Sequence, residues 1–434
     1  MNFREIVKSL IPQKIFRLIE PWGHLAEAIL FNFINGFPAR GLKVIGVTGT
    51  DGKTTTSFLI HKMLSQAGHK TGLMTTVAYG VGDDLKPQKR HMTTTPVPVL
   101  LKQIKEIKSQ GAEWLVLETT SHALAQNRVW GIPYSIAVLT NVSREHLDYH
   151  GTFEKYLAAK RRLFKLTNKN RQGFRTGIVN ADDDRSELFS SAILIDFTYG
   201  ITEGDFRATN INLSSSKSSY QARFKEETYD IVCNLPGKFN VYNSLAAVAV
   251  GKVAGLTKKQ IEQGISALDS VPGRMQEIDE GQPFKVIIDY AVTPSALETA
   301  LKTLQEITKG NVILVFGATG NRDKGKRPIM GEIAGKNADL IFLTDDETYT
   351  ENPDKIRQAV YKGIEKARGV AKTKEISDRQ RAIEAALKIA NRGDSVIITG
   401  MGHQTTRNMG GREIPWSDIE TTRRFLQGSN NATS

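Results

Sequence analysis

The stretch at residues 46–64, GVTGTDGKTTTSFLIHKML, sets two glycines, a Gly-Lys-Thr step and further threonines ahead of a helix-like run. The residues before the turn, LKVIGV (42–47), read as a buried strand, and 54–67 as a helix. A strand, a glycine-rich turn, Lys-Thr and a helix together make a phosphate cradle. Glycines let backbone N–H groups converge, the helix start adds partial positive charge, and the lysine bridges terminal phosphates. The hydroxyl after the lysine suits magnesium. The loop is shorter than the strict pattern, because Val47 stands where a glycine is required. An ordinary strand–helix turn has no use for Lys53, so Gly49, Thr50, Asp51, Gly52, Lys53, Thr54 and Thr55 are expected to hold nucleotide phosphate.

Outward from this loop the alternation continues. EWLVLE and SIAVLTN read as buried strands and 99–110 and 153–166 as helices, which implies a mostly parallel sheet covered on both faces. Between 206 and 233 the pattern shortens to segments such as YQARFK and YDIVC, more like antiparallel strands. Two helical segments follow, then DSVPGRM, which reads as a linker. Beyond it FKVIIDY, NVILVFG, ADLIFLTD and DSVIITG are four apolar strands, each followed by a polar or glycine-containing loop. Ligands sit at the carboxyl ends of such strands, so these loops form a second binding face. At 434 residues the chain exceeds one compact core. The fold expected is α/β: a short helical segment (1–40), a P-loop central domain with a mostly parallel sheet (41–271), and a C-terminal Rossmann-like α/β domain (272–434).

Composition is that of a globular protein, with 40% hydrophobic and 24% charged residues. The net charge of +12 suits an anionic ligand: a nucleotide, phosphate or an acidic membrane surface. Lys and Arg are scattered, without zinc-finger spacing or an aromatic-basic platform, so nucleic acid is not expected as a partner. A single cysteine, Cys233, excludes an internal disulfide framework, and charges interrupt the first apolar stretch; the cytoplasm is expected. The segment HLAEAILFNFINGF (24–37) contains Glu27 and is shorter than the ~20 apolar residues a bilayer span needs. It reads either as a helix packed on the next domain or as one lying weakly on a membrane surface.

Other residues invite chemistry on their own terms. Glu118 ends the WLVL run, where a carboxylate suits magnesium, although a surface glutamate is the plainer alternative. His146 fits packing, capping or metal equally. Lys160 falls on the apolar helical face of Phe153, Tyr156, Leu157 and Phe164, where an uncompensated ammonium is costly unless its head extends to water. Thr93, Thr94 and Thr95 supply hydroxyls in a loop ending at Pro96.

The turn GVTGTDGKTTT, followed in order by HMTTTP, LETTSHALAQNRV, TNVSREHLDYHGTFEKYLAAK, GKFNVYNSLAA, VPGRM, DYAVTP and GNRDKGKRP, resembles the Mur ligase superfamily over about residues 42–418. Folylpolyglutamate synthetases belong to the same superfamily; the likeness is strongest to the UDP-N-acetylmuramyl-tripeptide synthetases, which add the third residue of the peptidoglycan stem peptide. The resemblance implies an ATP- and Mg2+-dependent ligase that activates a carboxylate as an acyl phosphate and joins it to an amino acid. It assigns catalysis to Lys53, Lys160 and His146, and magnesium to Thr54, Glu118, His146 and a carbamylated Lys160. It assigns the adenine contact to Asn243, ATP phosphates to Arg274 on closure, and the ribose or hinge to Asp289. Thr94, Thr95, Ser121, His122 and Arg128 would meet a muramyl-peptide acceptor. Arg322, Asp346, Glu347, Tyr349, Gly400 and Gln404 would line the amino-acid site.

Three departures qualify the resemblance. Roughly forty residues precede the phosphate-loop strand, too few for the family's uridine-binding domain, which points toward a lipid-linked or otherwise different acceptor. Relatives that add diaminopimelate carry Asp-Asn-Pro-Arg where Asp346, Glu347, Thr348 and Tyr349 stand, and a glutamate where GMGHQ ends in Gln404. The acidic residues Asp345, Asp346, Glu347 and Glu351 instead favour lysine or ornithine. Val292 replaces the histidine of the family's DYAHTP. Two other functions compete: a ligase acting on a folate-like or poly-amino-acid carboxylate, and a nucleotide-binding scaffold subunit of an amidotransferase.

Overall fold

The computed structural model describes residues 13–88 and 92–433. Two sheets organise it. The first contains β1 (Lys43–Thr48), β2 (Thr71–Met74), β3 (Ala78–Val81), β4 (Asp84–Pro87), β5 (Trp114–Glu118), β6 (Tyr134–Leu139), β7 (Thr176–Asn180), β8 (Ile195–Gly200), β9 (Phe206–Leu213), β10 (Ser218–Phe224) and β11 (Glu227–Cys233). Their order is β11-β10-β9-β8-β7-β6-β1-β5-β2-β3-β4. From β2 through β9 neighbours run parallel; at both edges they turn antiparallel.

β5 and β6 are buried at every position, as continuous apolar strands covered on both faces must be. The helices Lys53–Gln66 and Lys238–Val253 cover one face, packing Leu59, Met63, Leu245 and Val248 over Ile45, Val116 and Ile136. The helices Val97–Ser109 and Phe153–Lys169 cover the other through Leu100, Ile104, Leu163 and Phe164. The expected antiparallel run is β9–β11, joined by the turn at Ser214–Lys217. The sequence reading did not foresee β7 and β8; β8 is half exposed along its first residues and shows no clean period.

The second sheet contains β12 (Gln276–Glu277), β13 (Lys285–Asp289), β14 (Val312–Phe316), β15 (Leu340–Leu343), β16 (Thr373–Glu375) and β17 (Ser395–Thr399), in the order β12-β13-β17-β14-β15-β16. All pairs but β12–β13 are parallel. Three helices cover one face and two, including Asp418–Thr433, the other. The four strands expected after residue 273 are β13, β14, β15 and β17; β12 and β16 extend the edges.

Of the segment 1–40, the first twelve residues lie outside the described ones, and Gln13–Ile34 is a helix with Pro21 inside it. It packs on the first sheet's covering helices through Ala28, Phe31 and Asn32. The Asn32 amide donates to the Trp130 carbonyl at 3.0 Å. The expectation of a helix packed on its neighbour is met, and its opposite face leaves Trp22, Leu30, Phe33 and Ile34 exposed. Among the described residues no helix is long and apolar enough to cross a membrane.

Candidate active site

The carboxyl ends of β1, β5 and β13 meet at a cavity of about 520 Å³ lined from both sheets. On its floor β1 runs into Gly49 and Gly52, with φ of 151° and 81°, and the helix starts at Lys53. Both glycines are required for space as well as for backbone freedom. A Cβ at Gly49 would overlap the Thr140 hydroxyl, and one at Gly52 the Asn243 amide.

The loop is held from beneath by the β6 end. The Asp51 N–H donates to Asn141 Oδ1 at 3.0 Å, and the Asp51 carbonyl accepts from Thr140 Oγ1 at 2.7 Å. Thr50 Oγ1 lies 2.9 Å from the Tyr156 hydroxyl and accepts from the Ser143 N–H. Lys53 is half-buried and donates to the Thr50 carbonyl at 2.7 Å. Burial lowers its pKa, against the charges of Glu118 and Asp51. One carboxylate oxygen of Asp51, Oδ2, is buried without a partner.

Thr54 Oγ1 donates to Glu118 Oε2 at 3.0 Å, and the same oxygen accepts from the backbone N–H and the hydroxyl of Thr76. This is a compact set of oxygen donors beside the phosphate loop. Magnesium prefers such oxygens, and usually takes one or two carboxylates plus substrate phosphates rather than an all-protein cage. Among the described residues no group of three His, Cys, Asp or Glu is placed to hold a metal. The residues present fit magnesium.

Lys160 is 2% exposed, and its ammonium donates to the Gly49 carbonyl and sits 4.5 Å from the centre of the Tyr156 ring. Burial first, then the charge of Lys53, hold its pKa well below the ordinary lysine value. It does not extend its head to water. His146 adopts a left-handed conformation (φ 58°) at the start of a short turn. Its ring is 4.6 Å from that of His122, which contacts Tyr149 and His150. Burial depresses all three histidines, to about 2 for His146, about 3 for His122 and about 4 for His150, so the cluster is neutral near pH 7.

The other expected residues are brought near in different ways. Asn243 lies under the loop, accepting from Thr56 Oγ1 at 3.2 Å. Arg274 reaches across from the second sheet to donate to Thr54 Oγ1 at 3.3 Å, with its guanidinium 4.7 Å from the Tyr290 ring centre. Asp289 accepts from the Met275 N–H at 2.7 Å, and burial raises it to about 6. Thr94, Thr95, Ser121 and Arg128 are buried. Arg128 donates to the carbonyls of Thr94 and Thr95, and thereby braces that loop. Ser121 Oγ lies 3.0 Å from His150 Nε2.

Arg322, Glu347 and Tyr349 form a separate group. The Arg322 guanidinium is 5.5 Å from the Tyr349 ring centre, and the Tyr349 hydroxyl donates to Glu347 at 3.3 Å. Glu347 also accepts from the Asn408 N–H at 3.1 Å. Asp346 is buried behind them, where a Cβ at Gly400 would come within 2.6 Å of its carboxylate. Gln404 is the member of this group that also lines the cavity.

Sequence reasoning missed the contacts that join the two sheets. Thr293 Oγ1 donates to Asp51 Oδ1 at 3.2 Å. Lys326 Nζ is 3.3 Å from Glu145 Oε1 and 2.9 Å from the Val292 carbonyl. The signal was present, since Glu145, Thr293 and Lys326 all lie within motifs quoted for other residues. Because Lys326 meets the backbone of Val292, that contact is independent of the side chain that replaces histidine.

Residues 47–251 match the Mur ligase middle domain and residues 273–402 the Mur ligase glutamate ligase domain. The chain is 36% identical over 410 residues to the UDP-N-acetylmuramoyl-L-alanyl-D-glutamate--2,6-diaminopimelate ligase 1 of Clostridium acetobutylicum, covering 93% of this chain and 82% of that one. It belongs to the Mur ligase family. A solved structure of a UDP-N-acetylmuramoyl-L-alanyl-D-glutamate--2,6-diaminopimelate ligase superposes with a TM-score of 0.64 at 31% identity, over 95% of this chain and 83% of that one. The folylpolyglutamate synthase of Mycobacterium tuberculosis has a TM-score of 0.71 at 16% identity, over 87% and 92%, a likeness of fold alone. As a Mur ligase the chain is an ATP- and magnesium-dependent enzyme that forms amide bonds.

Proposed function

We propose that this Mur ligase extends a muramyl-peptide acceptor by one amino acid with a cationic side chain. The observation that carries the reading is the meeting of Lys53, Thr54 and Glu118 from one sheet with Arg274 from the other, 3.3 Å from the Thr54 hydroxyl. Four groups that neutralise or orient phosphate thus converge on one cavity.

In this mechanism Lys53 turns from the Thr50 carbonyl to the terminal phosphates, and the loop N–H groups hold the others. Magnesium, held by Thr54 and Glu118, supplies charge neutralisation when bound. The acceptor carboxylate oxygen displaces ADP from the γ-phosphorus, giving an acyl phosphate. The incoming amine then attacks that carbonyl, phosphate leaves, and the amine's proton passes to solvent or phosphate. Arg274 and the contacts of Thr293 and Lys326 hold the second sheet closed, which keeps water from the acyl phosphate. The amine of Lys160, whose charged form is disfavoured by burial, is suited to carbamylation: the lone pair of its deprotonated nitrogen adds to the carbon of carbon dioxide and one N–H proton leaves, so that a neutral amine becomes an anion.

For the amino acid, Arg322 is aimed at the α-carboxylate and Glu347 at a side-chain cation. Tyr349 and Gln404 stand where diaminopimelate enzymes have arginine and glutamate, so the partners those enzymes offer the distal zwitterion are replaced here. A simple cationic side chain fits better than the zwitterion named for the relatives.

The test is phosphate release from ATP and magnesium with UDP-muramyl dipeptide, or its lipid-linked counterpart, and a panel of amino acids, with mass spectrometry of the product and Lys53→Ala as control. A lysine or ornithine adduct supports the whole reading. A diaminopimelate adduct overturns the pocket argument alone. Product only with the lipid-linked acceptor identifies the acceptor class, and none with either sends the reading to non-muramyl carboxylates. Incubation with 13C-bicarbonate and NMR for a carbamate carbonyl, lost in Lys160→Met, tests the modification separately.

A further inference from the structure

The helix Gln13–Ile34 has two unlike sides. Its inner side is bolted to the segments that carry His122 and His146. Gln126 and the Tyr149 hydroxyl both donate to Glu20 at 3.2 Å, and the Asn127 amide donates to the Pro21 carbonyl at 3.1 Å. Glu27 pairs inward with His24 at 3.5 Å. The acidic groups of the described helix are thus tied down on one side.

Among the described side chains, the other side carries no charge. Ile19, Trp22, Ala26, Leu30, Phe33 and Ile34 recur at helical spacing on one arc. Trp22 is 71% exposed, Phe33 and Ile34 67%, Leu30 56% and Ile19 52%. Most other large apolar side chains exposed elsewhere on the described surface stand singly, which is ordinary; a contiguous stripe is not.

What borders the stripe is cationic. The Phe33 ring meets Phe37 at 5.1 Å, the Arg40 guanidinium lies 4.0 Å over Phe37, and Lys108 Nζ is near enough to donate to the Arg40 carbonyl at 2.5 Å. An apolar stripe with its acids turned away and cations at its margin is complementary to one kind of surface, an anionic bilayer.

We propose that this helix docks the enzyme on an anionic membrane surface, with Trp22, Leu30, Phe33 and Ile34 entering the headgroup boundary and Arg40 and Lys108 meeting lipid phosphates. Because the inner side of the same helix braces the loops at His122 and Tyr149, docking presents that side of the active site to the bilayer. The inference does not depend on which acceptor or amino acid is used.

The experiment is co-sedimentation of the full chain with vesicles of phosphatidylglycerol and phosphatidylcholine, against phosphatidylcholine alone, at low and high salt. Binding at least tenfold tighter to the anionic vesicles, weakened by salt, is expected. Phe33→Ser with Ile34→Ser should weaken it a further tenfold. Tryptophan emission should shift to the blue on binding, and Trp22→Phe should lose that shift. Circular dichroism and phosphate release establish that the variants are folded. Absence of vesicle binding, or equal binding by the double variant, overturns the proposal. So does a dimer in light scattering that the double variant dissolves, since a second copy would then cover the stripe.

Discussion

Arg274 of the second sheet donates to the hydroxyl of Thr54 in the first, across 220 positions of sequence, and Thr54 in turn donates to Glu118. The phosphate loop is therefore completed by a residue that belongs to the other half of the molecule. In the state described, the two sheets are closed on each other.

Arg274→Ala should lower kcat by about 10²- to 10³-fold, the usual effect of removing one donor aimed at developing charge. Its guanidinium also donates to the Tyr290 carbonyl at 3.3 Å and lies over the Tyr290 ring, so stability must be read beside rate. Parallel measurement of kcat and melting temperature checks this; a large fall in both would make Arg274 a structural residue instead.

Lys326 and Glu145, each about a tenth exposed, form the ion pair between the sheets at the cavity. Removing either leaves the other nearly buried and alone, which is worse than removing both. Lys326→Met and Glu145→Gln should each depress kcat/KM, with a coupling of about 1–2 kcal/mol in the double-mutant cycle. Additive losses would dissolve the pair as a functional unit.

Lys160→Met removes a buried cation but keeps the apolar stem. Thermal stability should stay within about 1 kcal/mol of wild type or rise, because the ammonium is costly where it lies. Phosphate release should fall by at least about 10²-fold, on the scale of losing a charge-stabilising group. A variant that retains activity would remove Lys160 from the chemistry.

Asp289 has its pKa raised to about 6 in the fold, against about 3.9 in an unfolded chain. Between these values the folded state binds more protons than the unfolded one, so this group's contribution to stability declines as pH rises from about 4 through 6. Asp289→Asn still accepts from the Met275 N–H but never ionises. Urea melts from pH 4 to pH 7 should show the variant gaining on wild type by up to about 3 kcal/mol. A constant difference across that range would mean that the carboxylate is not desolvated.

Glu347→Gln should reduce kcat/KM for lysine by about tenfold or more, the order of one charged hydrogen bond, and leave the ATP KM unchanged. Competition between lysine and a neutral amino acid of similar length reads the same effect.

Much of this was legible locally. Gly49, Gly52, Lys53 and Thr54 occupy fixed steps between a strand and a helix, and only one backbone geometry satisfies them. The strands of both sheets were visible wherever burial on two faces demanded an unbroken apolar run, as in β5, β6 and β14. β8 escaped because its exposed start breaks that run, and the bracing role of Arg128 escaped because its acceptors are carbonyls, which any residue supplies.

The sequence by itself determined a glycine-rich strand–helix loop carrying Lys53 and Thr54 and an α/β architecture, since these follow from spacing and apolar runs along the chain, and its motifs from about residue 42 to 418 carried the resemblance to the Mur ligases. Tertiary structure alone decided that Thr293 meets Asp51, that Lys326 meets Glu145, and that one side of the first described helix faces solvent while the other braces Gln126 and Tyr149. Such pairings depend on how the two sheets approach, and on which face of a helix finds a neighbour. No periodicity or propensity within a segment encodes either.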